Sequence, residues 1–175
     1  MAAITYDVEM IRQEMNPICW VASCAMAKGY ATGSSVGVGD FTDGLDPANS
    51  CIANLANSWS ECTDLMAQWG FQVYDVLGVS SGDMNAESLG MALAEGPIVL
   101  LHLCAGFPYG AQYGEMNFTG NDAHAVLITA IDTDAGTAAF NNPWGDKDQG
   151  CELVVLIDKI NADQAVGKTL AYYSN

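Results

Sequence analysis

Between Cys19 and Lys28 the chain reads Cys-Trp-Val-Ala-Ser-Cys-Ala-Met-Ala-Lys, which is small or apolar on nearly every side of a helix. Trp20, Cys24 and Ala27 share one stripe, and the other faces offer little to hold water. A helix of this kind is expected inside the protein rather than on its surface, so the rest of the chain must be able to cover it. With 175 residues, half of them hydrophobic, the chain fits one domain with a sizeable core and room for two lobes. Gly29 is the expected C-terminal stop of the helix.

The flanking segments suggest what covers it. Ile4, Tyr6 and Val8 alternate with polar neighbours, as in a brief edge strand. Residues 31–49 are rich in Gly, Ser, Asp and Pro, with turns at Gly39-Asp40 and Asp43-Gly44, and read as a long surface loop of the kind that lines clefts. Short helices are expected over 50–57 and 61–69, the second opened by Ser58-Trp59-Ser60-Glu61 at capping-box spacing and closed by Gly70. Trp59 and Trp69, at helical positions, read as core. A strand over 71–77 follows, then a helix over 85–94 capped by Asn85 and ended by Gly96-Pro97.

Beyond Pro97 the chain changes character. Residues 98–103 form a β-branched and leucine-rich run suited to a buried strand, and 105–121 a loop containing Gly, Pro and Tyr. A second apolar strand spans 123–131, with His124 at its start. Thr133-Asp134-Ala135-Gly136 supplies a turn, and strands are expected over 137–141, 151–157 and 168–173. Helices first and antiparallel strands later is the pattern of an α+β fold. The expected organisation is a single domain over 1–175, with a helical lobe at about 10–95 and a β lobe at about 96–175.

Charge restricts the partners. Five Lys and Arg against 21 Asp and Glu give a formal charge of -16, which opposes binding to nucleic acid phosphates and to anionic lipid surfaces. The acidity reads first as a solvated, self-repelling surface; a preference for cationic substrates and adaptation to high salt are the alternatives. The first ten residues carry neither a basic nor an apolar signal region, and no apolar run reaches the length of a membrane span. The expectation is a cytoplasmic protein, a trimmed mature form, or export without a cleavable signal. The six cysteines, at 19, 24, 51, 62, 104 and 151, form no CxxC pair and lack zinc-ligand spacing. Cys51 and Cys62 could bridge, but reduced and mostly buried thiols are the expectation.

One constellation carries chemistry. Nucleophilic catalysis by cysteine needs a thiolate, a base that forms it, and a group that holds the base in one tautomer. Cys19, where a loop turns into the buried helix, would gain thiolate character from the helix N-terminus; its alternative is a small buried hydrophobe, the reading that suits Cys24 and Cys104. His124 at a strand start is the candidate base. The other histidine, His102, lies within an apolar strand and reads as a satisfied core or cleft residue. Asn142 competes with Asn141 as the orienting group, and its spacing to Trp144 favours it. Asp122 either helps orient the histidine or ends the loop.

Gln13 six residues before Cys19-Trp20, then His124-Ala125-Val126, then Asn142-Pro143-Trp144-Gly145, in that order, resemble the papain-like cysteine proteases. The bacterial branch whose asparagine is followed by Pro-Trp, the AvrRpt2-type and C39-like peptidases, is the most similar. The likeness runs from Gln13 to Gly145. It implies a papain-like fold, with the nucleophile helix packed on an antiparallel sheet or half-barrel. It assigns Cys19 as nucleophile, His124 as general base and acid, Asn142 as orienting residue and Gln13 as side-chain donor to the oxyanion, with Trp144 shielding the histidine–asparagine bond. The run before Cys19 is Asn16-Pro17-Ile18, not papain's Gly-Ser-Cys, so papain's own substrate preference does not carry over.

The implied activity is hydrolysis of a peptide or protein substrate through an acyl-enzyme, without metal or cofactor. The resemblance to AvrRpt2-type enzymes extends this to a bacterial effector or toxin, beside a housekeeping peptidase. An amidase, a deamidase or an acyltransferase would use the same pair, and an inactive papain-like binding module is the alternative of another class.

Overall fold

The computed structural model describes residues 3–13, 18–42, 59–75, 84–120, 122–163 and 169–174. Its helices are Cys19–Thr32 (α1), Gly39–Thr42 (α2), Trp59–Gln68 (α3), Ala86–Leu93 (α4) and Leu153–Ala162 (α5). Among the described residues one sheet holds, in spatial order, Phe71–Asp75 (β2), Thr169–Tyr173 (β7), Ile98–Leu103 (β3), Ala123–Asp132 (β4), Thr137–Asn142 (β5) and Asp146–Glu152 (β6). Ile4–Thr5 (β1) pairs with Ile131 and Ala130, past the stretch of β4 that β3 covers. Every pairing is antiparallel. A mixed fold of helices and antiparallel sheet is therefore what the chain forms, and β2 joins the sheet from within the stretch expected to be the helical lobe.

Both faces of the central strands are covered, which is why 98–103 and 123–131 read as continuous apolar runs rather than alternating ones. Val99, Leu101, Ala125, Leu127 and Ala171 pack against α1 and α3. Ile98, Leu100, Val126, Ile128 and Leu170 pack against Leu89 and Leu93 of α4 and Leu156 and Ile160 of α5. Each such side chain removed from water contributes roughly 1.5–3 kcal/mol before entropy is subtracted. Cys19 through Ala27 are all buried, as expected of a helix apolar on every side. Trp69 stacks on Trp20 with ring centroids 5.1 Å apart.

Three expectations need correction. Gly29 does not stop α1, which runs to Thr32 and ends at Gly33, whose φ of +61° a glycine adopts without strain. A Cβ at Gly29 would stand 3.1 Å from the Ser34 carbonyl oxygen, so this glycine makes room for the returning chain. Gly39-Asp40 lies in the short helix α2, not in a loop turn, and brings Phe41 into the core.

The third correction is larger. The expected strand over 151–157 ends at Glu152, and 153–162 is helix. Leu153, Leu156 and Ile160 point inward while Val154 and Val155 are 58% and 40% exposed, so burial at a helical period outweighs the β-propensity of the two valines. The helix ends on a buried ion pair, Lys159 Nζ to Asp163 Oδ1 at 2.7 Å. Asp163 Oδ2 also accepts the Leu103 N–H at 3.0 Å, which fastens α5 to the end of β3. The expected helix over 50–57, the Ser58 cap and a Cys51–Cys62 bridge fall outside the described residues.

Candidate active site

The site forms where β4 begins, β5 ends and α1 starts. After Asn142 the chain turns tightly, Gly145 N–H donating to Asn142 O at 2.8 Å, and Gly145 takes a φ of +128°. A Cβ there would lie 2.9 Å from Cζ of the flexible Arg12 side chain, which can move aside; it is the left-handed backbone that favours glycine at this position. Gln13 N–H donates to Pro143 O at 2.9 Å on the same turn. Residues 14–17, which link Gln13 to α1, are not among those described.

The turn places two groups on His124. Its Nε2 lies 2.9 Å from Asn142 Oδ1, and the Trp144 ring stacks on the imidazole at 4.0 Å with an interplanar angle of 19°. The Trp144 backbone N–H also donates to Asn142 Oδ1, at 3.1 Å. An amide N–H only donates, so the asparagine atom between them is its oxygen; the histidine then carries its proton on Nε2 and leaves Nδ1 as acceptor. His124 and Asn142 are both buried. Asn141 has other work: its Oδ1 accepts the Asp148 N–H at 2.8 Å, and its Nδ2 faces Val8 O at 3.4 Å.

Cys19 is the first residue of α1. Ile18 precedes it and makes no side-chain cap hydrogen bond. The amides of Ala125, Trp20 and Cys19 itself face the thiol and favour its ionised form. Burial outweighs them: Cys19 is 5% exposed, and desolvation pushes its thiol up to about 12. Burial likewise brings His124 down to about 4, against the opposing pull of the Asn142 bond. The helix start was expected to favour the thiolate; in this state the thiol and the imidazole are both neutral. Cys19 and Ala125 pack on the face of the sheet that α1 covers.

His102 stands directly opposite His124 across β3 and β4 and is 1% exposed. Its Nδ1 donates to Leu103 O at 2.9 Å, its Nε2 lies 3.3 Å from the Tyr109 hydroxyl, and Phe107 stacks on it at 3.7 Å. Asp122 closes the base of the loop: its Oδ2 accepts the Thr119 N–H and its carbonyl accepts the Cys104 N–H. Cys24 and Cys104 are buried thiols. Sequence reasoning missed the aromatic wall in this loop, where Tyr109, Tyr113 and Phe118 gather round Trp144 with centroids 5.1 to 5.9 Å away. Its signal was four aromatic residues, Phe107, Tyr109, Tyr113 and Phe118, in a loop between two buried strands.

The two buried histidines set a pH dependence of stability. Both are held below the ordinary histidine range, chiefly by desolvation. The unfolded chain therefore binds more protons between the folded and unfolded values, and stability rises with pH across that window. It should be fully present above about pH 7 and fall on acidification to about pH 5, by about 2 kcal/mol for His124, with His102 acting in the same direction. Urea unfolding at the two pH values measures it, and a flat profile would contradict the burial of both rings.

The model of the Peptidase C39-like family matches residues 5–162. Among solved structures, the chain is similar to a Bacillus anthracis protein assigned as a C39-like peptidase, with a TM-score of 0.62 and 14% identity over 100% of both chains. At that identity the likeness speaks for the fold alone. No curated protein sequence matches.

Proposed function

The chain belongs to the Peptidase C39-like family, a family of cysteine peptidases, and from that premise we propose that it hydrolyses peptide bonds through Cys19, His124 and Asn142. The observation that carries this reading is the His124–Asn142–Trp144 arrangement, which leaves Nδ1 as the accepting nitrogen of a histidine whose neighbour Ala125 turns its amide to the Cys19 thiol. When substrate binds, His124 Nδ1 takes the Cys19 proton as the sulfur bonds to the scissile carbonyl carbon. The Cys19 amide and the Gln13 side chain donate to the oxyanion. Collapse of the tetrahedral intermediate breaks the C–N bond, and His124 protonates the leaving amine. Water, deprotonated by His124, then attacks the thioester and frees the acid product and the thiol.

Two neutral groups suit this sequence, since the proton moves to His124 only as an electrophilic carbon, a scissile carbonyl or an alkylating reagent, receives the sulfur. An idle binding module is the second reading, favoured by one observation, the burial of the Cys19 thiol. Cleavage of a peptide library, followed by mass spectrometry, separates them: the peptidase reading expects defined cleavage sites, and an intact library opposes it. A net charge of -16 fits a peptide or protein substrate rather than nucleic acid or an anionic membrane.

Asn142→Ala should leave the His124 Nε2–H buried without an acceptor and the tautomer unspecified. The expected result is a loss of about 10 to 100-fold in kcat/KM and about 1–3 kcal/mol in stability. Kinetics on a peptide found by the library, beside urea unfolding, checks both; unchanged kcat/KM would remove Asn142 from the mechanism.

A further inference from the structure

The loop from Cys104 to Asp122 leaves β3 and re-enters the sheet immediately before His124, and Tyr109 lies at its centre. The Tyr109 ring centroid is 5.1 Å from Trp144, 6.1 Å from His124, 5.7 Å from His102 and 4.7 Å from Phe107. Its hydroxyl has a defined direction. Because His102 Nδ1–H is given to Leu103 O, His102 Nε2 can only accept, and the Tyr109 O–H donates to it. The Cys104 thiol meets the same hydroxyl. Burial, with His124 and Lys159 nearby, keeps His102 unprotonated and so keeps this acceptor at neutral pH.

We propose that Tyr109, anchored through its hydroxyl to His102, is a positioning residue that holds Trp144 and the His124 imidazole in their working orientation. This rests on the Cys19–His124 reading above. His124 is fixed at one nitrogen by Asn142 and on its ring by Trp144, but Trp144 is half-buried and its place depends on what packs against it. Tyr109 packs against both rings, and its own position is set by a bond to a fully buried residue of β3. A purely structural tyrosine would need only its ring; a positioning one needs the hydroxyl. Among the described residues the titratable groups that meet His124 are His102 from β3 and Tyr109 from the loop; Cys104, at the end of β3, meets Tyr109, and Cys19 of α1 meets the Ala125 amide. The Lys159–Asp163 pair of α5 lies beyond His102.

The test is the rate and pH profile of Cys19 alkylation by iodoacetamide, mapped by peptide mass spectrometry, in wild type, Tyr109→Phe and His124→Ala. Tyr109→Phe should slow labelling of Cys19 about tenfold, the fold-change of one net hydrogen bond. The acid limb should move up toward the ordinary histidine value, as water reaches a less constrained imidazole. Wild-type labelling that depends on His124 but is unchanged in rate and limb by Tyr109→Phe overturns the proposal. Labelling that ignores His124 altogether overturns the reading beneath it, and the two failures are distinct. Should Tyr109→Phe not fold, nitrogen-15 NMR of the wild type decides: His102 protonated on Nδ1 and a protected Tyr109 hydroxyl proton support the proposal, and His102 protonated on Nε2 overturns it.

Discussion

Cys19→Ala is expected to lower hydrolysis of every peptide the wild type cleaves by at least about 10³-fold, because no acyl-enzyme can form without the sulfur. The fold should survive. Cys19 opens α1, where alanine is the better helix former, and the neighbouring side chains Trp20, Val21 and Ala22 are fully buried and hold the helix in place. Losing one sulfur from this site leaves a small void, with a cost of about 1 kcal/mol. A urea midpoint close to that of the wild type, beside a rate at the limit of detection, is the expected pair of results. Turnover retained by the variant would sink the nucleophile assignment.

His124→Ala should cost a comparable factor, about 10³-fold in kcat/KM, since the same imidazole takes the thiol proton and later protonates the leaving amine. It also has a signature outside catalysis. With His124 gone, His102 alone remains to take up a proton on unfolding, so the acid-induced loss of stability between about pH 7 and pH 5 should shrink by about 2 kcal/mol, even though the variant starts from a lower stability. Rate and pH profile are measured on the same protein. A variant that keeps its rate, or whose stability profile matches the wild type, would show that His124 is not the buried neutral base.

Where one physical rule dominated, the fold was legible in the sequence. The run 98–103 is bounded by Gly96-Pro97 and buried on both faces, and it forms β3 with those limits; Asn85 caps α4 by accepting the Ser88 N–H while the Ser88 hydroxyl accepts in return. Legibility failed where two rules competed. At 153–157 two adjacent valines argued for a strand, and the helical spacing of Leu153, Leu156 and Ile160 prevailed once the surface to bury against existed. At Gly29 the residue that looked like a stop serves a close approach, which only the returning chain reveals.

The candidate site shows the same division. Residue types and order singled out Cys19, His124 and Asn142, and the structure sets Asn142 against His124. Order along the chain could not reveal that burial outweighs the helix N-terminus at Cys19, because desolvation depends on what covers the site. Nor could it reveal the bond between His102 and Tyr109, which joins a strand residue that reads as a satisfied core or cleft histidine to a loop residue with no motif around it.

The central claim is that Cys19 is a nucleophile served by His124, and the order in which the thiols react tests it most directly. Exposure alone would put Cys151 first among the described free thiols, since it is half-buried while Cys19, Cys24 and Cys104 are buried. Limiting iodoacetamide near neutral pH, with the labelled sites mapped by mass spectrometry, should instead modify Cys19 ahead of the other five cysteines, and His124→Ala should abolish that preference. Labelling that follows exposure, with Cys151 first and Cys19 protected, would contradict the account.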